Sequence, residues 1–222
     1  LNPFMYFNKR LLGVGNLVVG GRSRKFRQEM APILCERLSG LRPDLMLFSG
    51  DFSSTSVPSE FLAARRFLEP IVKETRLGAY SVPGNHDCYF RAELGARSFV
   101  DNLGEVFRPV PKSAFEVLEE EVGLIQINAT TRNGLGSHGE ITTEHCEEVG
   151  RFLGNNKNQF RALWLLCHFP AEDPPTVKMR NRGPQLLNAD RLLRLLGDIK
   201  VPVLWLHGHH HHRWIYRSPS VP

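Results

Sequence analysis

Four short apolar runs in this chain each stop at a polar cluster able to hold a metal ion. Residues 45–48 run into Ser49-Gly50-Asp51, and 79–82 into Pro83-Gly84-Asn85-His86-Asp87. Residues 163–167 run into His168, and 203–206 into His207-Gly208-His209-His210-His211. Apolar runs this short, bounded by Gly and Pro, read as strands, the first and third of them buried. Between them the apolar spacing is helical, over residues 26–41, 58–75, 93–103, 142–153 and 185–196, with Thr142 or Thr143 as the N-cap of the fourth. Residues 114–118 and 122–128 read as two paired strands around an acidic turn. Strands alternating with helices predict an α/β domain whose helices cover its sheets. In such sheets the carboxyl ends of the strands are where sites are built, so the four clusters are expected to converge.

Composition narrows the class without choosing the chemistry. The chain has 222 residues, 41% hydrophobic and 23% charged. That balance excludes a disordered, collagenous or disulfide-scaffold protein, and the length predicts one domain over residues 1–222, with two small ones as the alternative. Cys35, Cys88, Cys146 and Cys167 lie far apart with no C-x-x-C pair, so reduced thiols and a cytoplasmic setting are expected. No apolar run is long enough to span a bilayer. The net charge of +5 is unevenly placed. Residues 1–27 hold six Lys and Arg and no acid, leaving 22 basic against 23 acidic residues in the remainder. The basic stretch 9–27 suits an anionic membrane surface (the inner face, for a cytoplasmic protein) or nucleic acid. A basic surface around the first helix is the plainer alternative.

The clustered side chains are Asp, Asn and His. A mixed oxygen and nitrogen set suits borderline ions such as Mn²⁺, Fe²⁺ or Zn²⁺, and disfavours Ca²⁺, which prefers oxygen alone. In their order and motifs, Gly50-Asp51, Gly84-Asn85-His86-Asp87, His168 and Gly208-His209-His210-His211, the clusters resemble the calcineurin-like metallophosphoesterases. The resemblance covers roughly residues 9–212. It implies a four-layer α/β/β/α arrangement, a β-sandwich of two mixed sheets flanked by helices, with two divalent metal ions along one edge. It also implies a hydrolase that cleaves a phosphodiester, pyrophosphate or phosphomonoester, in a small molecule or a nucleotide-linked substrate, by a metal-activated water.

Carried onto these positions, the resemblance makes Asp51 a ligand shared by both ions. Asn85, His168 and His209 complete one ion, and His211 belongs to the other. His86 would lie near the phosphate, with Asp87 placed to orient it. Cys88 and Cys167 are expected as small buried side chains, His207 as structural, and His138 and His145 at the surface. If residues 209–212 are extended, His210 and His212 point away from the ligands. Arg180 and Arg182, after a proline-rich loop, are placed to reach an anionic substrate or to be a solvated loop.

One family motif, D-x-H, has no counterpart ahead of Gly50-Asp51. Asp44 cannot replace it, because it opens the same strand that delivers Asp51, and at about 3.3 Å per residue it stands too far away to share an ion. The expectation is that D-x-H lies before Leu1 and further strands beyond Pro222. The alternative is a catalytically degraded relative that binds nucleic acid or a membrane surface.

Overall fold

A computed structural model describes residues 30–88, 92–119, 121–131, 138–156, 158–174, 186–211, 215–219 and 221. The basic stretch 9–27, Arg180, Arg182 and His212 lie outside the described residues. The chain comprises two compact units, Leu1–Pro111 and Lys112–Pro222.

The first unit contains α1 (Met30–Leu41), β1 (Met46–Phe48), α2 (Pro58–Glu74), β2 (Ala79–Ser81), α3 (Ala92–Leu103) and a 3₁₀ turn at Glu105–Phe107. β1 and β2 pair in parallel, Met46 opposite Ala79 and Phe48 opposite Ser81. Parallel neighbours need a long crossover, here α2, and both carboxyl ends then emerge on the same side. Helix α2 starts where residue chemistry favours it. Pro58 occupies its first turn, and the Glu60 carboxylate accepts the N–H groups of Thr55 (2.9 Å) and Val57 (3.4 Å). Phe61, Ile71, Val72, Phe99, Leu103 and Phe107 form the core under the strand pair.

The second unit is built on a four-stranded mixed sheet ordered β3-β4-β6-β8, from β3 (Ser113–Leu118), β4 (Val122–Ile127), β6 (Ala162–Cys167) and β8 (Val203–Leu206). β3 and β4 are the antiparallel pair expected from the sequence; β4–β6 and β6–β8 are parallel. Leu166 lies opposite Leu206, so the segments after β6 and β8 leave the sheet level with each other. Helices α4 (Thr143–Asn156) and α5 (Ala189–Gly197) contribute Val149, Phe152, Leu192 and Leu196 to a core with Ile125, Leu163 and Leu165. The α/β class, with strands in sheets flanked by helices, is as the sequence predicts. No helix among the described residues is long and apolar enough to cross a membrane.

Two local expectations are corrected. Residues 185–196 do not form one helix: β7 (Leu186–Leu187) pairs in parallel with β5 (Gly139–Glu140), and Asn188 turns left-handed (φ 59°) before α5 begins. The pairing wins because Leu186 is buried and the Leu187 carbonyl accepts the Ile141 N–H at 2.9 Å. His145 is not at the surface but 7% exposed. It closes a reciprocal cap on α4, in which the His145 N–H donates to Thr142 Oγ1 (3.2 Å) and the Thr142 N–H donates to His145 Nδ1 (3.3 Å).

Candidate metal centre

In the first unit, the loops following β1 and β2 press backbone to backbone. A Cβ on Gly50 would lie 2.4 Å from Gly84 N and 2.8 Å from both Pro83 C and Val82 O, and Gly50 itself has φ +96°. Glycine is therefore required at this contact. Asp51 follows in the left-handed region, φ 62°. Phe52 anchors the segment into the core, its ring 5.4 Å from Phe48 and 5.7 Å from Phe99.

A buried carboxylate ties the two loops together. Asp87 Oδ2 accepts the N–H groups of Asp51 (2.7 Å) and Gly84 (3.0 Å), and Oδ1 accepts the Ser53 N–H (2.8 Å) and hydroxyl (2.9 Å). Burial, and next the Asp51 charge, push the Asp87 carboxyl up to about 7 against the pull of the Gly84 and Ser53 donors. Asp51 Oδ1 in turn accepts the His86 N–H at 3.0 Å. The orienting contact of the His86 ring is to a carbonyl: Nδ1–H donates to Ser54 O at 2.9 Å. Asp87 thus braces the backbone that carries Asp51 and His86, with its carboxylate on Asp51, Ser53 and Gly84 rather than on the imidazole. Asn85 lies half-buried in the same loop.

In the second unit, the Gly208 N–H donates to the His168 carbonyl at 2.9 Å, carrying the β6–β8 pairing one step past the strands. His168 is 2% exposed. Its ring centroid is 5.2 Å from that of His209, at 77°, with the Phe169 ring 4.8 Å from His209. Residues 209–211 are not extended. His209 (φ 68°) and His211 (φ 53°) are both left-handed, and the His210 N–H turns back to Gly208 O at 2.8 Å. The extended-chain argument that set His210 apart therefore does not apply; its side chain instead meets Asp173, Nε2 to Oδ1 at 2.8 Å. His211 is exposed. Burial lowers the pKa of half-buried His207, favouring its neutral form.

Asp44 stands at the far end of β1 from Asp51, in an exposed ion pair with Arg76 at 3.1 Å. Cys88 and Cys167 are buried, as expected of small core side chains. Ser53, Ser54 and Asp173 support these loops without belonging to the motifs. The Ser53-Ser54-Thr55-Ser56 run after Asp51 is the sequence signal for the first two, and Asp173 shows only its place before two prolines.

Among the described residues, no group of three or more His, Cys, Asp or Glu is placed to hold a metal ion. The donor types in each unit are nevertheless ones a divalent ion accepts. A carboxylate and an amide stand on the braced loops of the first unit, and in the second two imidazoles meet edge to face at the strand ends. A family model for the calcineurin-like phosphoesterases (Metallophos) matches residues 19–213. No curated protein matches the chain. Members of the matched family hydrolyse phosphoric esters and generally use divalent metal ions.

Proposed function

The chain belongs to the calcineurin-like phosphoesterase family, and from that premise we propose a dinuclear-metal phosphoesterase cleaving a phosphodiester, pyrophosphate or phosphomonoester. Asp51, Asn85, His168 and His209 would hold one ion of Mn²⁺, Fe²⁺ or Zn²⁺ type, with Asp51 and His211 contributing to a second. Such ions supply a water of lowered pKa and charge to offset that of the phosphoryl oxygens. The chain's own groups do the positioning. The Asp87 brace holds Asp51 and the backbone of His86 in fixed relation, and the bond to Ser54 O holds the His86 ring with a proton on Nδ1. Carrying a second proton, on Nε2, His86 would steady the phosphoryl oxygens or pass that proton to the leaving oxygen, the Nδ1 proton staying with Ser54 O. The substrate class is a phosphate-ester small molecule or a nucleotide-linked compound. A cytoplasmic protein whose basic residues 9–27 meet an anionic membrane face or nucleic acid accords with the charge distribution.

The observation that carries this proposal is the His168–His209 pair, two imidazoles 5.2 Å apart at the ends of adjacent parallel strands. The test is hydrolysis of bis-p-nitrophenyl phosphate and p-nitrophenyl phosphate with Mn²⁺, Fe²⁺ or Zn²⁺. Asp51→Ala and His209→Ala should each lower kcat at least ~100-fold. Wild-type protein inert with every ion, yet binding DNA or anionic vesicles with a steep salt dependence, would favour the degraded binding protein instead.

A further inference from the structure

We propose that the buried Asp173–His210 pair is a latch that positions His209 and His211, a role resting on the ligand assignment made above. His209 and His211 both hold positive φ, 68° and 53°. A residue bearing a Cβ avoids that region, each instance costing about tenfold in a local equilibrium. Two in three residues make a turn that needs holding from outside. His210 sits between them and supplies the hold. Its side chain is 6% exposed and that of Asp173 is 7% exposed, with His210 Nε2–H donating to Asp173 Oδ1 at 2.8 Å.

The pair also joins the two segments that matter. Asp173 comes from the loop leaving β6, five residues after His168, and His210 from the turn leaving β8, next to His209. Closing the pair fixes these loops against each other on the side chain, while the Gly208 N–H to His168 O bond fixes them on the backbone. With His210 Nε2 committed to Asp173, the pair acts on His209 and His211 through the backbone of the turn that His210 shares with them. Groups that act on metal ligands in this indirect way typically change metal affinity 10–100-fold when removed.

The experiment is Mn²⁺ titration of the chelator-stripped full chain by calorimetry, with urea midpoints recorded for every variant. His210→Ala and Asp173→Ala should each weaken Mn²⁺ about 10–100-fold, and the double variant no further than either alone. His210→Gln keeps a donor near the Nε2 position and Asp173→Asn keeps the acceptor. Both should stay within about threefold of wild type, a rescue that loss of packing alone does not give. Asp190→Ala removes a carboxylate from the same unit by breaking the exposed Asp190–Arg194 pair and should leave the affinity unchanged. Wild-type binding that survives both alanine variants overturns the latch. If wild-type protein binds no Mn²⁺, the ligand assignment fails, and the latch is judged by amide exchange at Gly208 and His210. Asp173→Ala should speed that exchange at least tenfold, and unchanged exchange overturns the latch on its own.

Discussion

Replacing Gly50 by alanine should pull apart the two loops that carry Asp51 and Asn85. The added Cβ would meet Gly84 N at 2.4 Å and Pro83 C and Val82 O at 2.8 Å. All three are backbone atoms, so no side-chain rotation relieves the contact, and non-bonded carbon sits comfortably only at about 3.5 Å or more. The loops must therefore separate by about 1 Å. Asp87 Oδ2 spans the same gap, with the Asp51 N–H at 2.7 Å and the Gly84 N–H at 3.0 Å. A shift of that size takes at least one of these bonds out of range and leaves a donor unsatisfied, at about 1–3 kcal/mol. Forcing a Cβ-bearing residue into φ +96° adds about 1–2 kcal/mol. The expected loss is about 2–5 kcal/mol.

Urea unfolding of the full chain measures that loss, with Gly150→Ala as the matched control. Gly150 lies inside α4, and a Cβ there meets nothing within 4 Å. This second alanine should stabilise the protein by about 0.5–1 kcal/mol, through lower backbone entropy in the unfolded chain. A Gly50→Ala protein within about 1 kcal/mol of wild type, with unchanged m-value, would refute the argument. The loops could then give way at little cost, and their close approach would not be what holds Asp51.

Two further outcomes follow from other buried groups. Burial lowers the His145 pKa against the opposing pull of Glu148, Glu144 and Glu140, while Lys112 adds to the lowering. A depressed histidine contributes stability above its unfolded pKa that is lost as pH falls through the folded value. Wild type should therefore lose more stability than His145→Gln between pH 7.5 and pH 5 in urea titrations, and parallel curves would refute this. Cys167 is fully buried with its thiol pushed up to about 12, so a disulfide reagent should label half-exposed Cys35 first and reach Cys167 only on unfolding. Prompt native-state labelling of Cys167, mapped by mass spectrometry, would contradict that burial.

What could be read in advance, and what could not, divides along a physical line. β1, β2, β6 and β8 announce themselves because each is a short continuous apolar run before the chain turns, although β8 stays only partly buried, with Leu204 49% exposed. The same local logic located α2 and the Thr142 cap of α4. Pairings decided by distant partners were hidden. Leu186 and Leu187 carry a helix-like pattern, and only the Gly139–Glu140 backbone makes them a strand. His145 has the composition of a surface residue, and its burial depends on a cap closed through its own ring. At the candidate site the gap is sharper. G-D, G-N-H-D and G-H-x-H say which side chains arrive at the strand ends. They do not state the sign of φ at Asp51, His209 and His211, on which the direction of each donor depends. That sign is held by Asp87 across 36 residues and by the Asp173–His210 pair across 37. Neither brace has a spacing that periodicity can detect. A substitution at Asp87 or Asp173 would therefore leave most of the motif string intact while releasing the geometry the motif exists to deliver, so motif integrity alone is a poor measure of competence in this chain.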